Sequence, residues 1–195
     1  MTLRSFIRPA LVSALALVAA TAPARATLMP EVVAALGGTG AVEGKPNGGG
    51  AAVALSLLWP LEDHFHAGIM MFADDLGSQS DRLIAPGGAD LGPIQGLHRQ
   101  ASGVAWRVEA ELPGKRYEPF AAMTWGLYRA SDDVQGHRVG SRTSTGLGFG
   151  AGILRHFSNR HSAGLSLRYQ HLTRGATDGY MSAAFEWRWR IGAGR

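Results

Sequence analysis

The chain has 195 residues, with 19 Lys and Arg, 15 Asp and Glu and no cysteine, a length that suits one domain of ordinary size. Without cysteine there are no disulfides, so stability must come from the backbone ladder and packing. No run of about 18 apolar residues follows position 27, which excludes a helical membrane protein, and no basic face is concentrated enough for nucleic acid.

The first 26 residues have the build of a secretory signal: Arg4 and Arg8, an apolar run from Ala10 to Ala20, then small residues ending Ala24, Arg25, Ala26. The apolar run of 11 residues is shorter than the roughly 20 a spanning helix needs, so it is read as cleaved and not as an anchor. Removing it leaves a single domain, 27–195, with 16 basic and 15 acidic residues.

From there the pattern has period two, and it predicts eight strands. The first three cover about 31–43, 50–60 and 65–76. In the fourth, 101–112, Val104, Trp106, Val108, Ala110 and Leu112 alternate with Arg107, Glu109 and Glu111. The fifth covers 117–130, and in the sixth, 142–157, Thr145, Leu147, Phe149, Ala151 and Ile153 alternate with Gly146, Gly148, Gly150 and Gly152. In the seventh, 161–172, Ala163, Leu165, Leu167 and Tyr169 oppose Ser166, Arg168 and Gln170. The last, 179–191, sets Met181, Ala183, Phe185, Trp187, Trp189 and Ile191 against Ser182, Glu186, Arg188 and Arg190.

A greasy face and a charged or empty face on segments near 10 residues long predict an all-β fold: an eight-stranded antiparallel transmembrane β-barrel of the bacterial outer membrane, apolar side to lipid and charges to a narrow lumen. The connections alternate as such a barrel requires. Those at Pro60 to His64, Pro113 to Arg116 and Ser158 to Arg160 are short, as periplasmic turns are; 77–100 and 131–141 are long, and the Gly- and Pro-rich 77–100 reads as a mobile outer loop. Trp59, Phe65, Tyr117, Phe120, Phe157 and Trp189 fall near the periplasmic ends, where an interfacial aromatic belt is expected.

Candidate chemistry is sparse. The glycines at 146, 148, 150 and 152 lie on one face of a strand, not before a helix, so they read as lumen relief and not as a phosphate loop. Arg107, Glu109, Glu111, Arg168, Glu186, Arg188 and Arg190 read as charges that pair inside the barrel. His64 and His66, beside Glu62 and Asp63, resemble half a metal clip, but no third and fourth ligand stands at a suggestive spacing; a polar turn is the reading, with no metal or cofactor expected. His171 and Thr173 share the lipid-facing parity of Leu165 and Leu167, where polar groups need a task or an interface position.

The stretch VVAALGGTGAVEG at 32–44, the segment Glu118, Pro119, Phe120 and the run from Gly146 through Gly175 resemble the outer-membrane lipid A 3-O-deacylases, an acyloxyacyl hydrolase-like family of eight-stranded barrels. The resemblance implies a Ser, His, Glu triad on the outer wall that removes an ester-linked acyl chain from lipid A, with the motif His, any residue, Ser, Asn near the end of the seventh strand and a Glu at the start of the eighth. His171 matches the base, Thr173 stands at the nucleophile, Arg174 replaces the Asn, and Met181 occupies the Glu position. A thioether cannot hold an imidazolium, and threonine's methyl crowds attack.

The resemblance therefore implies a monomeric barrel that binds lipopolysaccharide in outer-membrane lipid near His171, with Arg174 meeting a lipid A phosphate and hydrolysis weak or lost. The alternative is a non-catalytic structural or interaction barrel with 77–100 as its contact surface; eight strands leave too narrow an interior for an aqueous pore. His156, Phe157, Ser158, Asn159 spells the family motif literally. It falls at an expected periplasmic turn, away from the outer leaflet, and reads as a Ser/Asn turn.

Overall fold

Alternating side chains point to opposite faces of an extended chain, and the segments so marked form eight antiparallel strands. The computed structural model describes residues 29–41, 49–84, 87–114, 116–135, 137–172 and 179–191. Its strands are β1 Glu31–Ala41, β2 Gly50–Glu62, β3 Phe65–Ile84, β4 Asp90–Glu111, β5 Glu118–Val134, β6 His137–His156, β7 His161–Leu172 and β8 Gly179–Arg190. The expected leader, 1–26, lies outside the described residues.

Each strand pairs with the next, and β8 returns to β1 from Tyr180↔Ala41 to Arg190↔Glu31, so the sheet closes on itself. Closure leaves no unpaired edge, which a sheet surrounded by lipid requires. Every strand presents a large apolar side chain on the outside: Leu36, Leu55, Met71, Trp106, Leu127, Phe149, Leu165 and Phe185 are all exposed. An apolar band running right round the wall is unsustainable in water and is what a bilayer solvates.

The two long connections are not loops. β3 and β4 continue as a ladder to Ile84↔Asp90, and β5 and β6 to Val134↔His137. Period two fades there in the sequence, whereas the backbone ladder needs no side-chain pattern to continue. The β3–β4 ladder does slip, at Asp75/Gly77, Gln79/Asp81 and Arg82/Ile84. At the first slip Gly77 has φ 82° and its N–H donates to Asp75 Oδ1 at 2.7 Å, a bulge that a side chain at 77 would strain.

Phe65, Tyr117, Phe157 and Trp189 are exposed at the short-turn end, as expected of a belt, and Trp187 stacks on Phe157 with ring centroids 6.5 Å apart. Phe120 does not join them. It shares the even parity of Thr124 and Tyr128, points into the lumen and is 4% exposed. The glycine run of β6 makes room for it: a Cβ on Gly152 would collide with the Phe120 ring, one on Gly148 with Gln170 and Thr124, and one on Gly146 with Tyr128. These glycines relieve the lumen, as their parity predicts.

Candidate functional site

Inside the barrel the charges pair. Arg107 Nη2 lies 2.6 Å from Glu109 Oε2 and 3.2 Å from Glu186 Oε2; Arg188 Nη2 lies 3.0 Å from Glu186 Oε2, and its Nη1 reaches Glu109 and, at 3.0 Å, Glu111 Oε1. The Phe120 ring lies under the Arg188 guanidinium, 4.5 Å from centroid to carbon. Nearer the long hairpins, Arg168 Nη2 bonds both oxygens of Asp74 at 3.1 Å and the Tyr180 hydroxyl donates to Asp74 at 2.8 Å. Tyr128 donates to Gln170 Oε1 at 2.8 Å. These groups are committed to one another, which makes the lumen a polar core and not a reaction chamber.

Chemistry available to a lipid must therefore lie on the outer wall. His171, near the long-hairpin end of β7, is exposed on that wall; its cross-strand partners are Leu147 on β6 and Gly179 on β8. Met181 is also exposed outward but pairs with Tyr169, so it stands diagonal to His171. Neither direct partner of His171 is acidic, and the diagonal position carries a thioether. Thr173 and Arg174 lie outside the described residues.

Four further residues complete this part of the wall, and sequence pattern alone does not single them out for it. The Tyr169 ring leans across Gly179, where a Cβ would lie 2.8 Å from the ring, and so occupies the space opposite His171. On β5, Arg129 is exposed and donates to Ser141 Oγ at 3.5 Å; its partner across the ladder is Thr143, and Leu127 pairs with Thr145. Thr143 and Thr145 continue the outward parity of Leu147, the neighbour of His171. A polar rim thus runs from Arg129 across Thr143 and Thr145 to His171. Their shared parity with Leu127 and Leu167 is the signal that could have found them.

Below the Arg129 end of the rim is an apolar groove of about 310 Å³ lined by Ile69, Val104, Trp106, Trp125, Leu127 and Thr145, with Ala105 and Gly126 also at its surface. Gly126 packs so closely on its cross-strand neighbour that a Cβ there would collide with the backbone of Val104 and Ala105. An apolar groove under a cation and hydroxyls suits an anionic amphiphile, with chain below and headgroup above.

The literal motif behaves as a turn. Ser158 Oγ accepts the N–H groups of Arg160 at 3.2 Å and His161 at 3.1 Å, while His156 Nε2 lies 2.6 Å from Glu118 Oε2. His156 pairs with Ser162, ten ladder steps along β6 from the Gly146↔Leu172 pair beside His171, which is about 30 Å of strand.

No protein-family description and no curated protein matches the chain. Solved structures do. Neisserial surface protein A (NspA) is 12% identical over 84% of this chain and 97% of its own, with a TM-score of 0.64. The N-terminal β-barrel domain of Pseudomonas aeruginosa OprF is 13% identical over 84% and 98%, with a TM-score of 0.54. The outer membrane enzyme PagL is 19% identical over 83% and 99%, with a TM-score of 0.43. At these identities the likeness is one of fold, and the fold is that of the eight-stranded outer-membrane β-barrels.

Proposed function

We propose that the protein is an exported, monomeric outer-membrane barrel that binds the lipid A part of lipopolysaccharide on its outer wall, with ester hydrolysis weak or absent. The observation that carries this reading is the polar rim from Arg129 to His171, with the apolar groove of β3 to β6 below its Arg129 end. Arg129 supplies a charge-assisted hydrogen bond to a phosphate, and the groove takes an acyl chain. The family resemblance adds Arg174 as a second cation for a phosphate. Turnover is not supported, because a base without an orienting carboxylate loses about ten-thousand-fold in a serine-type triad.

The test is to express the chain in a Gram-negative host, purify the barrel in mild detergent and weigh the intact complexes by native mass spectrometry. Lipopolysaccharide is expected to co-purify in preference to phospholipid, and Arg129→Ala to weaken that retention by about tenfold or more, as loss of a hydrogen bond to a charged group does. The acyl pattern of host lipid A is expected to stay unchanged. No preference for lipopolysaccharide would remove the reading, and loss of a hydroxyacyl chain that His171→Ala abolishes would establish the enzyme instead.

A second reading, an interaction barrel, is favoured by the two long hairpins, whose ladders run well beyond the apolar band to Ile84 and Val134. Ordered ladders offer a partner a firmer surface than a mobile loop does. Shortening both hairpins separates the readings: lipopolysaccharide retention survives it under the first and has no reason to exist under the second.

A further inference from the structure

The luminal charges leave one end of the barrel unbalanced. At the short-turn mouth the carboxylates of Glu31, Glu109, Glu111 and Glu186 face three guanidiniums, those of Arg107, Arg188 and Arg190. Glu62 and Asp63 at the rim add two more negative charges. The shortfall falls on Glu31. Arg188 bonds Glu109, Glu111 and Glu186 through its Nη groups, leaves its Nε without a hydrogen-bond partner and comes only within 3.7 Å of Glu31 Oε2; Arg190 is 39% exposed and 4.0 Å from Glu31 Oε1. Glu31 Oε2 is left buried with no hydrogen-bond partner, which is costly for an ionised group.

Close to it is a second buried polar group in the same condition. His66 is 4% exposed, and its Nδ1 has no partner. One donor atom from each of Glu31, His66 and Glu111 lies within 4.8 Å of the other two. β1, β3 and β4 bring the three together from far apart in sequence. Glu31 and His66 also line a cavity of about 730 Å³ bounded by Glu62, Asp63 and His64, which gives a route in from the mouth.

An imidazole and two carboxylates form a donor set for a divalent transition metal, with water completing the shell. Metal–donor distances of about 2.0–2.2 Å require the three side chains to close inwards by on the order of 1 Å. Arg188 opposes a cation, but Glu109 and Glu186 fix it, and Glu111 has a second oxygen to offer. We propose that Glu31, His66 and Glu111 bind a divalent metal ion of the zinc class at the short-turn mouth.

The experiment titrates the folded barrel in detergent with zinc chloride alone and records X-ray absorption at the zinc edge. One zinc per barrel is expected, with one imidazole nitrogen and otherwise oxygen in its shell. His66→Ala, folded as judged by heat-modifiable gel mobility, should weaken binding by more than the roughly 10–100-fold that outer-shell changes cost; His64→Ala should leave it unchanged. Absence of stoichiometric zinc overturns the proposal and leaves the charge to be balanced by a proton. So does retention of affinity in His66→Ala, or a spectrum with two imidazoles or none. If His66→Ala does not fold, the spectrum of the unmodified barrel decides.

Discussion

Replacing Arg188 by alanine is expected to destabilise the barrel by about 3–5 kcal/mol, the range for breaking a buried ion pair from one side. Arg188 is fully buried, hydrogen-bonds Glu109, Glu111 and Glu186, and covers the Phe120 ring. Arg107 would still hold Glu109 and Glu186, but Glu111 would lose its guanidinium, and Glu31 would keep only Arg190 at 4.0 Å.

The loss should therefore be much larger than that of the rim change Glu62→Gln, and Glu111→Gln added to Arg188→Ala should recover part of it, because it removes one of the stranded charges. Equilibrium urea unfolding in lipid bilayers, followed by tryptophan fluorescence, measures both. A cost below about 1 kcal/mol, the scale of an exposed pair, would mean that the luminal network does not hold the barrel together.

The second large effect belongs to the opposite face. Leu167→Arg should cost about 2–4 kcal/mol in a bilayer, the penalty for a cation on the lipid face near the midplane, whereas Leu112→Arg should cost about 0–1 kcal/mol because it sits at the end of the wall. Both leucines are more than half exposed, and Leu167 pairs with Ala151 and Ala183 in the middle of its ladders. Exposure to water would make both substitutions nearly neutral; equal small costs in the same unfolding measurement would contradict a lipid-facing wall.

Most of the barrel is legible in period two, because a two-faced strand writes both of its environments into alternate residues. Strand number, parity, the luminal charge set and the role of the β6 glycines all follow from that one signal. The hairpin extensions are hidden because a ladder in water needs no apolar face. Phe120 is a different case: its even parity with Thr124 marks it as luminal, but nearness to the strand end suggests the belt.

The sites are less legible because each is assembled across strands. Nothing in sequence spacing brings Glu31 and Glu111 to His66; barrel closure does. Similarly, the rim from Arg129 to His171 depends on the β5–β6–β7 register, and the family resemblance points only to its β7 end. That resemblance implies a base at His171; the register sets leucine and glycine directly beside it, and on the diagonal Met181 stands where the resemblance implies a Glu.

The central claim is that the outer wall meets lipid up to a polar rim at His171. The chain has no cysteine, so single cysteines introduced along β7 from 164 to 171 can carry a nitroxide label without background. In bilayers, accessibility to molecular oxygen should alternate with period two and peak at 165 and 167, while accessibility to a water-soluble nickel chelate stays low and rises only towards 171. Odd positions open to the nickel chelate along the whole strand, or no alternation at all, would contradict the account.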